Sequence, residues 1–167
     1  MPDTTDWKQL SSALAGLHRA LIERARRDYE QSHEKVGGPT HFLRLLMEDP
    51  FFAWLRPLSE LMANIDQLRD YEAPARDEVA AAVRSMVEEL IAAPGAEPKH
   101  PDFSSPQFTT RYVPLLHEEP QVTMAHAGVK QAIVTWPTPG EGGAARLLHE
   151  RHVIAEMVKH HANRTRH

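Results

Sequence analysis

Apolar residues recur in alternating steps of three and four along the first part of the chain. This spacing keeps one face of a helix apolar over several turns, as in helix bundles. We expect Asp6 to cap this helix, with Gln9 completing a box-like start, and the segment Gly37-Gly38-Pro39 to follow its end. The residues of this stripe are predicted core positions, and their near-heptad spacing is also compatible with a homodimer interface. The stripe consists of Trp7, Leu10, Leu14, Leu17, Leu21, Ala25 and Tyr29.

Shorter apolar stripes predict further helices along the rest of the chain. We expect Asp49 to cap a segment that starts at Pro50, and Pro57 to kink or break the helical path that follows. We expect Ser105 and Pro106 to form the cap and first turn of a further helix, which Pro114 is expected to disturb. The run 133–136 also has strand propensity. The predicted helices cover residues 40–48, 58–68, 74–91, 106–116, 120–136 and 144–162.

These elements predict an all-α fold, an antiparallel helical bundle of about six or seven helices. Residues 94–106 contain four prolines and few apolar groups, so we interpret them as a linker. The expected organisation is a bundle over residues 1–93 and a smaller C-terminal helical segment over 107–167. That segment either packs on the bundle as one domain or forms a separate lobe.

Composition and charge narrow the function classes. The chain of 167 residues has no cysteine, which excludes disulfides, thiolate metal sites and cysteine nucleophiles, and its net charge is −4. The basic residues near Arg24 alternate with acidic ones, which argues against a nucleic-acid interface. We found neither a membrane-spanning run nor a secretory signal, so we expect a soluble cytoplasmic protein. Arginine outnumbers lysine, as is typical of GC-rich bacterial genomes.

Histidines concentrate in the predicted last helix and form a candidate metal site. Steps of three, four and four residues place three imidazoles and a carboxylate on one side of that helix: His149, His152, Glu156 and His160. Such ligands suit zinc, nickel or iron. A straight helix cannot wrap one ion, so further ligands would come from His18, His33 or His126. The alternatives are a solvated helix flank or a pH-responsive contact.

A dense aromatic patch consists of Phe51, Phe52 and Trp54. Three large rings at a helix crossing indicate core. The patch also suggests a pocket for a small apolar ligand.

The leading functional hypothesis is a non-enzymatic helical protein that acts through protein–protein interaction, with a protein partner or as a homodimer. Strong amphipathic helices favour it, and the chain contains no phosphate-binding loop, dinucleotide fingerprint or nucleophile elbow. One alternative is a metal-binding helical protein, an oxidoreductase or metal-dependent hydrolase that uses the C-terminal histidines. Another is a sensor of small apolar ligands.

Overall fold

The computed structural model of the chain describes residues 2–69, 76–92 and 105–138, and all regular structure in those ranges is helical. The all-α prediction is therefore confirmed for this part of the chain. It contains six α-helices and one 3₁₀ helix: α1 (Thr4–Ser32), α2 (Pro39–Glu48), the 3₁₀ helix (Pro50–Leu55), α3 (Arg56–Arg69), α4 (Arg76–Leu90), α5 (Pro106–Glu118) and α6 (Pro120–Ile133).

The start of α1 lies earlier than the apolar stripe predicts. The Asp6 backbone N–H donates to Asp3 Oδ1 at 3.0 Å, and the Asp3 N–H donates to Asp6 Oδ2 at 2.8 Å. This reciprocal pair is a capping box in which Asp3 is the cap and Asp6 is the third helical residue. The prediction that Asp6 and Gln9 form the box was wrong, because an aspartate three residues upstream satisfies the first free N–H groups.

Proline and aspartate set the junction between α2 and α3. The Asp49 side chain accepts a hydrogen bond from the Phe51 N–H at 2.8 Å, so its predicted capping role is confirmed. Pro50 then opens a 3₁₀ helix, which gives way to α3 at Arg56. Pro57 stands in the first turn of α3, where a missing N–H costs no helical hydrogen bond. The break expected at Pro57 is thus a change of helix type.

Two prolines shape the α5–α6 hairpin. Pro114 lies inside α5, and the helix continues through it. Pro120 opens α6 and has no N–H to offer the Leu116 carbonyl one turn earlier. The Thr123 hydroxyl donates to that carbonyl instead, at 2.6 Å. Residues 134–136 form a turn and not a strand.

The core is built around α1. Its predicted stripe from Trp7 to Ala25 is buried, with Leu10, Leu14 and Leu21 fully enclosed, so this stripe serves the chain's own interior. Helices α3 and α6 pack against α1, and α5 packs against α6 and the 3₁₀ helix. The Trp7 and Trp136 rings meet at a centroid distance of 4.8 Å, which joins the start of α1 to the end of α6.

Helix α4 packs against α3, and its Arg84 side chain reaches the residues that directly follow α6. The Arg84 guanidinium donates to the backbone carbonyls of Val134 and Trp136. Cationic donors at a helix C-terminus satisfy free carbonyls and oppose the negative end of the helix dipole. Arg84 therefore ties α4 to α6 through a cap.

Two sequence predictions fall partly outside the described residues. The linker 94–106 is described only from Ser105, and the predicted helix 144–162 is not described, so the domain boundaries stay predictions. No helix in the described ranges has the length and apolarity that a bilayer span needs.

Candidate functional site

The predicted aromatic patch lies inside a cluster of rings. Phe52 is fully buried and Trp54 nearly so, whereas Phe51 is half-buried. Aromatic rings of neighbouring helices pack against the three at centroid distances of 5.2 to 6.0 Å: Tyr29, Phe42 and Phe108. This is the geometry of a packed core, and the ligand-pocket hypothesis stays a prediction.

The predicted metal ligands of the last helix lie outside the described residues: His149, His152, Glu156 and His160. The three histidines considered as distant ligands are engaged separately. His18 Nε2 lies 2.9 Å from Ser59 Oγ, and the His33 ring stacks on Tyr29 at 4.3 Å, while His126 bonds a tyrosine. No cluster of three or more candidate ligands occurs within the ranges that the structure describes.

A polar pair joins α5 to α6 in the interior. Tyr112 is fully buried, and its hydroxyl lies 2.6 Å from His126 Nδ1. Burial lowers the pKa of His126, and the nearby Lys130 charge lowers it further. Burial also raises the pKa of Tyr112. Both shifts favour the neutral rings, and the tautomer of the His126 imidazole decides which of the two groups donates the hydrogen bond.

A groove of about 660 Å³ runs between α1 and α6. Its α1 wall spans Gly16 to Arg27, which corresponds to about 16 Å or three helical turns. Ala20 and Ala125 are half-buried in it, and Met124 is 71% exposed. The groove is lined by Gly16, Arg19, Ala20, Glu23, Arg27, Glu119, Gln121, Met124 and Ala125.

Ion pairs close one end of this groove. Glu119 Oε2 lies 2.5 Å from Arg27 and 3.6 Å from Arg24, and Arg24 also pairs with Asp28 and Glu118. The hydrogen bond to Asp28 is the main cause of a raised pKa at Arg24. Individual exposed pairs contribute little, but a network of several charges orders its members. The α5–α6 turn is thereby fixed against α1.

The other charges of the groove are unsatisfied. Arg19 and Glu23 are exposed and make no ion pair within the described residues. Arg24–Asp28 and Arg26–Glu30 have the same spacing and polarity on the same helix, yet both pair, at 2.9 and 3.4 Å. One cation and one anion are therefore free to meet a ligand at the groove wall.

The lining of the groove combines apolar surface with charges of both signs. The walls offer methylene, methyl and thioether surface, two arginines and two carboxylates, but no histidine, serine or threonine among the lining residues. Such a lining offers a ligand both apolar contacts and charge-assisted hydrogen bonds.

The groove was not predicted from the sequence, although two features of α1 indicate its α1 wall. Gly16 interrupts the middle of a 29-residue helix, where glycine is unfavourable by about 1 kcal/mol relative to alanine. Around it, residues 16, 19, 20, 23 and 27 recur at helical spacing on a face separate from the apolar stripe. The partner wall, α6, is distant in sequence and could not be assigned to α1.

A second exposed apolar feature lies on α2. Leu43 and Met47, one turn apart, are 57% and 66% exposed, and no residue of α2 is fully buried. The opposite side of α2, including Phe42 and Leu45, packs against the core.

No protein-family model matches the chain, and neither curated proteins nor solved structures show significant similarity to it.

Proposed function

We propose that this protein is a non-enzymatic protein-interaction module whose binding surface is the groove between α1 and α6. The observation that carries the proposal is the groove itself, which is open over about three helical turns, holds an exposed methionine and leaves two charges unpaired. The expected ligand is an amphipathic helix of a protein.

Helix-in-groove recognition matches this surface in size and chemistry. Such grooves accept apolar side chains spaced three and four residues apart, and charges at the rim fix the direction of the bound helix. Met124 is a flexible, polarizable contact, and methionine and arginine are enriched in interfaces. Arg19 and Glu23, one turn apart, provide charges of opposite sign along the wall.

The proposal includes the wider organisation predicted from the sequence. In it, the described helices belong to an antiparallel bundle in the cytoplasm, residues 94–106 are a linker, and 107–167 form the smaller C-terminal segment. The contact of α6 with α1 supports a binding surface that combines both parts of the chain.

Site-specific photo-cross-linking tests the proposal. A photoreactive amino acid replaces Gln121, an exposed residue of the groove, and in a matched control it replaces Gln67, an exposed residue of α3. Both variants of the chain are produced in cells of the organism that carries the gene, and they are irradiated in those cells. The adducts are then analysed by mass.

The expected result is a polypeptide adduct at position 121 that is absent at position 67. The adduct should also disappear when Ala20→Trp fills the groove, provided that circular dichroism shows an unchanged helical content. The proposal is wrong if no adduct forms at position 121, or if both positions give the same adducts.

A further inference from the structure

We infer that the polypeptide bound in the α1–α6 groove is a second copy of this chain, docked about a two-fold axis. The inference rests on the proposed function and adds the identity of the partner. Its basis is that the groove carries one unpaired positive charge and one unpaired negative charge. The groove surface of one copy is therefore complementary to the same surface of another copy.

Arg19 and Glu23 are separated by one helical turn, about 6 Å along α1. A two-fold axis that runs beside α1, perpendicular to it and level with the midpoint between the two residues, would place a second α1 antiparallel to the first. Arg19 of each copy would then face Glu23 of the other copy, and both ion pairs would form at once. A two-fold interface requires such a self-complementary patch on a single surface.

The intrachain geometry leaves these two side chains available. Two other pairs on α1 with the same spacing close within the helix, whereas Arg19 and Glu23 have no ion-pair partner within the described residues. Because their neighbours are paired, few competing charges remain on this wall. Arg27, the third charged residue on the α1 wall, is already held by Glu119.

Steric features of the same wall permit a close approach. A Cβ atom at Gly16 would meet nothing within 4 Å, so no contact in the chain requires glycine there. A second helix resting on this face would require a low surface, which Gly16 and Ala20 provide. Met124 stands 71% exposed at the groove and offers each copy one apolar side chain to the other.

Sedimentation equilibrium of the full-length chain, from low micromolar to submillimolar concentration, measures the association. We expect a monomer–dimer equilibrium that weakens as salt is raised, because exposed ion pairs are screened. Arg19→Glu alone, or Glu23→Arg alone, brings like charges together twice in each dimer. Either variant should raise the dissociation constant roughly tenfold or more.

Reversing both charges in the same chain should restore dimer formation. The double variant Arg19→Glu/Glu23→Arg restores complementarity with reversed polarity, so its dissociation constant should return close to that of the unchanged chain. An equimolar mixture of the two single variants should also form heterodimers, since one carries two carboxylates and the other two guanidinium groups. Arg44→Glu, an exposed arginine on α2 outside the groove, should have no effect.

The possible outcomes separate this inference from the proposed function. A chain that stays monomeric throughout the concentration range, or a double variant without rescue, overturns the two-fold pairing. If position 121 then cross-links to a polypeptide of another mass, the groove still binds protein and only its partner differs. An adduct with twice the mass of the chain, together with charge rescue, supports both.

Discussion

At the scale of single residues, side chains form hydrogen bonds with backbone N–H and C=O groups that have no partner within the helices. Pro120 deprives the Leu116 carbonyl of its helical donor, and the Thr123 hydroxyl replaces it at 2.6 Å. Ser105 caps α5 by accepting from the Phe108 N–H. The sequence predicted the Ser105 cap because cap and proline are adjacent. The Thr123 contact was not predicted, because it depends on how the hairpin closes.

Replacing Thr123 by valine should lower the free energy of unfolding by about 1 kcal/mol, the net contribution of one hydrogen bond. The change keeps the side-chain shape and removes the donor to the Leu116 carbonyl. Urea unfolding measures the loss. The matched control is Thr110→Val on the exposed side of α5, which should change stability by less than about 0.5 kcal/mol. Equal effects at the two positions would contradict the assigned role of Thr123.

Lowering the pH should decrease the free energy of unfolding, because two half-buried histidines then take up protons. Burial lowers the pKa values of His18 and His126, so the unfolded chain binds their protons more readily than the folded chain does. The contribution of these histidines to the free energy of unfolding is therefore fully present above their unfolded-state pKa, near 6.5. It is lost as the pH falls below that value toward the lowered pKa of the folded state. Each group contributes at most about 1.4 kcal/mol per pH unit.

The variant His126→Asn tests this dependence because its amide oxygen can still accept from Tyr112 but does not titrate. The unfolding free energy, measured in urea from about pH 7.5 to 5.5, should fall less steeply than in the unchanged chain. The comparison variant is His117→Gln, at an exposed histidine on α5. A slope in His126→Asn equal to that of the unchanged chain would refute the contribution of His126.

At the scale of elements, α1 has one face in the core and another face in the groove. One carries the buried stripe, which packs against α3 and α6, and the other forms the wall of the groove. The buried face was predicted from its three–four spacing, because burial of leucine leaves a strong pattern in sequence. The groove face was not predicted, because small and charged residues at helical spacing resemble any solvated surface.

The two classes of leucine should respond very differently to truncation. Leu14→Ala, at a fully buried position of α1, should cost about 2–5 kcal/mol of unfolding free energy through lost burial and a residual cavity. Leu43→Ala, at a position 57% exposed on α2, should change it by less than about 0.5 kcal/mol. Denaturant titration compares them directly. Similar costs at both sites would mean that α1 is not the centre of the core.

Gly16→Ala should stabilise the isolated chain by about 0.5–1 kcal/mol, because alanine is the better helix former and its Cβ meets no atom. Gly128→Ala in α6 should do the same for the same reason. Gly37→Ala should give no gain, since its Cβ would approach His41 Nδ1 at 2.9 Å. Thermal unfolding at low protein concentration measures all three. A loss of stability in Gly16→Ala would show that the chain itself requires this glycine.

At the scale of the whole molecule, the fold class was predictable from the sequence and the proposed binding surface was not. Periodicity and proline placement predicted all six described α-helices and most of their limits. Which helices lie side by side depends on long-range packing, so the pairing of α1 with α6 has no local sequence signal, although Gly16 and its neighbours at helical spacing mark the α1 wall. The proposed binding surface therefore exists only once the helices have assembled.

The most direct test of that surface follows two methionine methyl groups by NMR. Met124 and Met47 are 71% and 66% exposed, but only Met124 lines the groove. In a chain with ¹³C-labelled methionine methyls, the Met124 resonance should shift as protein concentration rises, and the Met47 resonance should stay in place. A fixed Met124 resonance across the whole concentration range, or a shift confined to Met47, would contradict association through the α1–α6 groove.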